Sequence, residues 1–510
     1  MFRYIFLMFV VLISLHSCSD DIFETTPSTG ELTFSKDTVF LDTVFTNISS
    51  STRTFKVYNK SNEHISIPSV RLGKGEQSFY RLNVNGEPGK SFENIDILPK
   101  DSIYIFVEAT IDYTKVSDPL YTDEVIFDQG NNEQEIKLIT LVQDAYFLFP
   151  QRDANGIKET IILGVDEDGE AIEVEGFYLE GNQTWTDEKP YVIYGYIGVN
   201  QGKTLTIEKG ASIHFHENSG LLVEKNGSLK INGTLDEKVI IQGDRLEPFF
   251  EDIAGQWGTI WLRAGSKDHE INHALIKNNI IGILVDTIGS ESEPMLNIRN
   301  TEIYNTSNFG LFARATNIKG SNLVIGNNGQ SSLACTSGGT YNFTHSTFAN
   351  FWSNGIREFP AVLVNNFQSS TASGSSGEEL VNDLVAANFT NCIIEGNQNI
   401  EFLLKKNDQA AFNFNFKNNM LRFFDPGGNL ANSPLYDFED TEKYQNNIFN
   451  GEPDFQNVNE NSFLIGDLSD AKGNADQQAA QQVPFDLLGV SRIVSPDMGA
   501  YQHIIFEEPQ

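Results

Sequence analysis

Two tryptophans and an arginine stand at odd-numbered positions of the segment 257–263, at Trp257, Trp261 and Arg263. In a β-strand alternate side chains share a face, so an inward-facing Ile260 and Leu262 would place these three residues on the outward face. Aromatic faces beside a guanidinium suit the apolar faces and the hydroxyls of sugars. The segment therefore predicts a carbohydrate contact, unless one or both tryptophans pack beneath the preceding loop 244–256.

Histidines and carboxylates give weaker signals for chemistry. His214 and His216 also share a predicted outward face and could bind a metal ion together with Glu217. Two histidines alone favour a solvated strand face, and no metal site is predicted. The acidic turn 166–169 could hold calcium, but it lacks the remaining ligands of a calcium loop and is expected to be a solvated turn. No cofactor is predicted.

The composition describes the kind of chain that must position these residues. Its 510 residues exceed one ordinary core, and 40% apolar residues with abundant Phe, Asn and Gly are typical of a β-rich globular protein. The net charge of -34 repels phosphate backbones and anionic lipid headgroups, which excludes nucleic acid as a partner. Neutral glycans, cations and basic proteins remain candidate partners.

The N-terminus predicts export and lipid attachment. Arg3 precedes the apolar run 5–13, which is too short to span a bilayer and is typical of a signal peptide, here residues 1–17. Leu15-His16-Ser17-Cys18 resembles the lipobox of bacterial lipoproteins, which implies that Cys18 carries the lipid anchor. Ser19, Asp20 and Asp21 resemble the tag that sends lipoproteins of Bacteroidetes-type bacteria to the outer face of the outer membrane. The alternative is an ordinary signal peptide that happens to contain a cysteine.

Three regions precede the repeats. Residues 18–30 are polar and are predicted to form a tether. Residues 31–145 show short alternating apolar runs separated by turn residues about every ten positions, which predicts an immunoglobulin-like β-sandwich. Residues 146–200 are expected to form a connecting region and an N-terminal cap.

Residues 201–430 contain a repeat of about 23 residues. Its recurring unit has six positions: an apolar residue, any residue, Asn or His, a small residue, any residue and a second apolar residue. The third position holds His273, Asn300, Asn322, His345, Asn366, Asn391 and Asn418. Helical repeats are longer and carry helical stripes, so the spacing predicts three short strands per coil, stacked along an axis. The Asn and His residues tolerate the left-handed backbone of a sharp turn and would form a hydrogen-bonded ladder. The loop 369–379 is expected to interrupt one coil.

The C-terminal sequence resembles the closing segments of bacterial right-handed β-helix proteins with pectate-lyase-like folds. The matching segments are 447–455, 463–464, 469–473, 486–492 and 496–501. Asp470 departs from the usual Ser-Pro-Ala of these proteins. The resemblance implies a right-handed parallel β-helix whose open final coil is capped by residues 431–510. We therefore predict an all-β chain in which an immunoglobulin-like β-sandwich precedes a capped right-handed parallel β-helix.

Proteins of this fold include polysaccharide lyases and hydrolases, which need paired carboxylates or a basic residue beside an acidic calcium site. The repeat offers only scattered charges, at Lys277, Glu302, Arg314, Arg357 and Glu358, and no catalytic residue is assigned. We predict a monomeric surface lipoprotein that binds a polysaccharide or glycoprotein without cleaving it. The alternative is a lyase or hydrolase acting on a surface-bound polysaccharide.

Overall fold

A computed structural model of the chain describes residues 25–166, 168–286, 295–368, 380–430 and 432–506. The predicted signal peptide, Cys18, the tag Ser19, Asp20 and Asp21, most of the tether and the loop 369–379 lie outside the described residues. The all-β prediction is confirmed, since the described residues contain one short α-helix, α1 (Gln477–Gln482), among many strands. No helix in these ranges is long and apolar enough to cross a membrane.

The chain divides into two compact units, residues 1–144 and residues 145–510. The strands of the first unit are β1 (Thr26–Pro27), β2 (Thr33–Phe34), β3 (Thr38–Phe45), β4 (Arg53–Tyr58), β5 (Ile65–Leu72), β6 (Tyr80–Val84), β7 (Glu87–Gly89), β8 (Ser91–Ile97), β9 (Ser102–Ala109), β10 (Leu120–Phe127) and β11 (Gln134–Gln143). One sheet contains β1, β3, β5, β8, β10 and β11, and the other contains β2, β4, β6, β7 and β9. Alternate residues of both sheets are buried in one shared apolar core.

The second unit contains the remaining strands. In its first part these are β12 (Tyr146–Leu148), β13 (Thr160–Val165), β14 (Ala171–Tyr178), β15 (Gln183–Trp185), β16 (Tyr191–Ile193), β17 (Tyr196–Val199), β18 (Thr204–Glu208), β19 (Ser212–Phe215), β20 (Gly220–Val223), β21 (Ser228–Asn232), β22 (Val239–Gly243), β23 (Trp257–Leu262), β24 (His269–Asn272), β25 (Ala274–Lys277), β26 (Asn279–Val285) and β27 (Leu296–Tyr304). In its second part they are β28 (Leu311–Gly326), β29 (Leu333–Thr344), β30 (Thr347–Asn350), β31 (Val362–Asn365), β32 (Phe367–Gln368), β33 (Leu380–Val381), β34 (Leu384–Thr390), β35 (Ile393–Gly396), β36 (Phe402–Lys405), β37 (Phe412–Lys417), β38 (Met420–Leu421), β39 (Tyr444–Gln445), β40 (Ile448–Phe449), β41 (Phe455–Asn457) and β42 (Ser462–Ile465).

Parallel pairing organises these strands into stacked coils. Strand β16 pairs with β19, β19 with β22, and β22 with β25, each three strands further along the chain. Two other series, from β17 to β20 and β23 and from β18 to β21 and β24, repeat the same step. The chain thus returns to the same wall after every third strand, one layer further on, and the long strands β27, β28 and β29 each serve two walls.

The interior of the stack is filled by side chains of like kind in successive layers. Phe343, Phe389, Phe416 and Tyr444 follow one another in parallel register, with ring centroids 5.5, 4.9 and 5.7 Å apart. Gly320 precedes Phe343 in this register, and a Cβ atom there would lie 2.5 Å from the Phe343 ring. The glycine therefore makes room for the first ring of the aromatic stack.

Six of the seven predicted ladder residues share one turn of the coils. His273, Asn300, Asn322, His345, Asn391 and Asn418 have φ between +47° and +57°. Hydrogen bonds of 2.9 Å join Asn322 to Asn300 and Asn391 to His345 in neighbouring coils. The turn thus combines the left-handed backbone that Asn and His tolerate with side-chain bonds between layers.

Asn366 is a wrong assignment, because Thr344 pairs directly with Thr390 and the ladder passes from His345 to Asn391. Asn366 follows β31, a strand of another wall, and its side chain bonds the backbone of Asn407 at 2.7 and 2.9 Å. Asn446, one position beyond the pair Lys417 and Gln445, continues the turn with φ +51° and was missed.

The C-terminal residues cover the last coil and also one side of the stack. Tyr436 stacks on Phe423 at 5.1 Å near the end of the coils. Much further back, Arg492 donates a hydrogen bond to Asn322 at 2.8 Å. One apolar cluster contains Tyr304, Val324 and Ala349 of the coils together with Phe463, Leu487, Ala500 and Tyr501. The prediction that all of 431–510 closes the open coil is therefore wrong, because apolar outward residues of earlier coils also require cover.

Candidate functional site

Trp257 does not lie on the outward face. It is fully buried in the core, where its ring stacks on Phe215 at 4.6 Å and its Nε1 donates to the carbonyl of Lys277 at 2.9 Å. Burial along β23 does not alternate, since residues 257–260 are all buried. The prediction that Trp257 contacts a sugar is wrong because its ring fills the core.

Trp261 and Arg263 do point away from the core, but their polar groups are used within the protein. The Trp261 Nε1 donates to Asp286 at 2.9 Å, and the Arg263 guanidinium lies 5.3 Å from the Trp261 ring. Arg263 also bonds Glu224 at 2.6 Å and the carbonyl of Leu163 at 2.7 Å. These contacts hold the hairpin of β13 and β14 against the coils, which is a structural role.

The predicted histidine pair is also separated. His214 is buried, and its ring nitrogens lie 2.8 Å from Ser212 Oγ and 3.1 Å from the carbonyl of Gly243. Burial lowers the pKa of His214 to about 4. His216 instead bonds Asp244 at 2.7 Å. The expectation that His214 belongs to a solvated face is wrong, because both its nitrogens have partners inside the protein.

The hairpin that Arg263 holds forms one wall of the candidate site, a cleft of about 950 Å³ at the first coil. We call it the aromatic cleft; its aromatic wall is Tyr146, Phe177, Tyr178, Trp185 and Tyr191, and its polar rim is Gln151, Glu159, Glu180, Gln183 and Glu188. Strands β12 and β15, which border it, each pair on only one side within the described residues. The cleft therefore occupies the first layer of the stack.

Stacking fixes the rings of the aromatic cleft. Tyr191 lies between Trp185, at 4.7 Å, and Tyr146, at 5.3 Å. The Lys189 ammonium lies 5.4 Å from the Tyr146 ring, and the Tyr191 hydroxyl accepts a hydrogen bond from the amide of Thr186 at 3.1 Å. Trp185 and Tyr191 are themselves buried, at 4% and 8% exposure, so their stack belongs to the core beneath the cleft and fixes the partly exposed ring of Tyr146.

Tyr178 is the most exposed ring of the wall, at 38%. Its hydroxyl donates to Glu224 at 3.0 Å, the same carboxylate that Arg263 binds. Burial and the negative charge of Glu224 raise the pKa of Tyr178 to about 12. The ring face of Tyr178 is thus available to a ligand, while its hydroxyl stays protonated and is held in place.

The rim combines carboxylates with amides. Glu159, Glu180 and Glu188 are exposed acceptors, and Gln151 and Gln183 carry amide donors. Carboxylates accept from hydroxyl groups, whereas they repel anionic ligands. No group of three or more His, Cys, Asp or Glu side chains in the described ranges is placed to hold a metal ion. The arrangement can stack and hydrogen-bond a polar, uncharged ligand.

The sequence prediction missed the aromatic cleft because it assigned residues 146–200 to a connecting region and cap. A signal was present, since Tyr146, Phe147, Phe149, Phe177, Tyr178, Trp185, Tyr191, Tyr194 and Tyr196 crowd this segment. Such a density of rings exceeds what a solvated connector requires.

No protein-family model matches the chain, and no curated protein matches it. Two distant structural neighbours are glycoside hydrolases. One is a family 123 glycoside hydrolase from Clostridium perfringens, with 9% identity over 22% of this chain and 26% of that chain and a TM-score of 0.15. The other is the catalytic domain of a family 87 α-1,3-glucanase in complex with tetrasaccharides, with 10% identity over 71% of this chain and 80% of that chain and a TM-score of 0.17. The chain spans about a quarter of the first of these structures, and both TM-scores are low.

Proposed function

We propose that the protein binds a neutral glycan at the cell surface through the aromatic cleft. The observation that carries the proposal is the set of partly exposed rings of Tyr146, Phe177 and Tyr178 beside a rim of carboxylates and amides. Sugars have apolar ring faces that stack on aromatic side chains and hydroxyls that donate to carboxylates. The acidic rim and the net charge of -34 disfavour uronates and sulfated chains.

The proposal predicts that Tyr178→Ala weakens binding of neutral oligosaccharides by about tenfold, because one stacking contact is lost. Tyr178→Phe retains the ring and should bind like the unchanged protein. The measurement is a glycan array followed by calorimetric titration of the glycans retained.

Tyr104→Ala is the matched control, since Tyr104 is 49% exposed and belongs to the first unit, whereas the residues of the cleft belong to the second. It should bind as the unchanged protein does. The proposal would be overturned if the unchanged protein bound no polysaccharide and no glycoprotein on the array. New reducing ends or unsaturated products in the same mixtures would instead support the lyase or hydrolase alternative.

We further propose that the first unit is immunoglobulin-like and that the second is a right-handed parallel β-helix. Two sheets around one core support the former. Parallel pairing of every third strand supports the latter, and crossovers between parallel strands of one sheet are right-handed almost without exception.

A lipid anchor on Cys18 would place the aromatic cleft outside the outer membrane. This part of the proposal is supported by the lipobox-like sequence at residues 15–18 and by the adjacent Ser19, Asp20 and Asp21. Cells grown with an alkynyl fatty acid should label the protein, and Cys18→Ala should abolish the label. Unchanged labelling of Cys18→Ala would contradict the lipid anchor. Resistance of the protein to protease added to intact cells would contradict its outward orientation.

A further inference from the structure

A second cavity, of about 480 Å³, lies between the later coils and the C-terminal residues that cover them. We call it the C-terminal cavity. Glu395, Arg422 and Phe351 belong to the coil side, and Glu452, Phe455 and Asp470 belong to the covering side. The first three lie in or next to β35, β38 and β30, respectively. The cavity is thus built by parts of the chain that are distant in sequence.

Glu395 is the unusual residue of the C-terminal cavity. It is 5% exposed; its Oε1 accepts a hydrogen bond from the Gly396 amide at 3.2 Å and lies 3.8 Å from Arg422 Nε. Its Oε2 is buried and has no hydrogen-bond partner among the described residues. A buried carboxyl oxygen without a partner is costly and is rarely kept for structure alone. Burial raises the pKa of Glu395 to about 7, so the carboxyl can donate as well as accept near neutral pH.

The other groups of the cavity favour a hydroxylated ligand. Phe351 and Phe455 meet edge to face at 6.1 Å and supply an apolar wall. Arg422 supplies donors, and the exposed carboxylates of Glu452 and Asp470 supply acceptors. These carboxylates repel anions, whereas a neutral sugar residue can bond to both kinds of group and rest on the rings.

We propose that the C-terminal cavity binds one neutral sugar residue, with its hydroxyls bonded to Glu395 and Arg422 and its apolar face on Phe455. This is a second binding site, separate from the aromatic cleft, and it does not depend on the function proposed for the cleft. Two sites on one protein would hold a long polysaccharide more tightly than either alone, provided that the chain spans both.

The test is titration of the full chain with glucose, galactose, mannose and N-acetylglucosamine, followed by saturation-transfer NMR. At least one of these sugars should bind saturably. Glu395→Leu and Arg422→Met should each lower the affinity for that sugar about tenfold or more, because each variant loses a charge-assisted or buried hydrogen bond to the sugar. Tyr104→Ala, which belongs to the first unit and to neither site, should leave this binding unchanged. Far-UV circular dichroism and the melting midpoint check that each variant is folded.

Three results would overturn the proposal. One is the absence of saturable binding for all four sugars. Another is binding by Glu395→Leu and Arg422→Met as strong as that of the unchanged protein. The third is loss of all saturable binding in Tyr178→Ala, which would place every bound sugar in the aromatic cleft. If Glu395→Leu fails to fold, Phe455→Ala replaces it and should weaken the same binding.

Discussion

Arg357→Met should lower the free energy of unfolding of the second unit by about 3–5 kcal/mol. Arg357 and Glu401 form an ion pair whose side chains are 2% and 0% exposed. Glu401 accepts from Arg357 Nη1 at 2.8 Å and from the backbone amides of Ala361 and Gln398 at 2.7 Å. Methionine fills the volume of the arginine stem but leaves the carboxylate buried without its countercharge.

Urea denaturation followed by tryptophan fluorescence measures this effect, because all four tryptophans lie in the second unit. Lys230→Met is the control: Lys230 pairs with Glu270 at 3.1 Å, but the two side chains are 26% and 50% exposed, so less than about 1 kcal/mol should be lost. Adding Glu401→Gln to Arg357→Met should recover part of the stability, since the unpaired charge is removed. If Arg357→Met and Lys230→Met were equally stable, the buried pair would not hold these coils together.

Phe389→Ala should cost about 3–5 kcal/mol by creating a cavity in the middle of the aromatic stack. The Phe389 side chain is fully buried, with Phe343 on one side at 5.5 Å and Phe416 on the other at 4.9 Å. Parallel strands hold both neighbours in register with it, so the layers cannot close over the space that the ring leaves.

The same fluorescence assay applies. Phe424→Ala is the matched control, because Phe424 is 53% exposed and its loss should change stability by no more than about 0.5 kcal/mol. The free energy of unfolding of Phe389→Leu should lie between those of Phe389→Ala and Phe424→Ala. A loss below about 1 kcal/mol in Phe389→Ala would mean that the coils relax around the missing ring.

The coil repeat could be predicted because its turns have a local physical requirement. Asn and His at a left-handed turn satisfy that requirement within a few residues, so the sequence alone marks positions such as Asn300 and Asn391. Asn366 was misassigned because the coil from His345 to Asn391 takes 46 residues, about twice the usual period. A chance match to the pattern in another wall filled the gap.

The binding sites could not be predicted in the same way. Alternation predicted the face of Trp261, but the first four residues of β23, 257–260, are all buried and do not alternate. Which of these side chains enters the core depends on how β23 packs against distant strands, which a single strand's pattern does not contain. The C-terminal cavity joins Glu395 to Asp470 only after the chain has folded back on its own coils.

The return of the chain along its own coils sets an order of assembly. Arg492 bonds Asn322 across 170 residues, and Tyr304 and Val324 share an apolar cluster with Leu487 and Tyr501. The coils precede these covering residues in the chain, whether it emerges from a ribosome or from a membrane. A second unit whose coils have folded before residues 463–501 arrive therefore carries an open apolar seam, and this seam is where incomplete chains would adhere to one another.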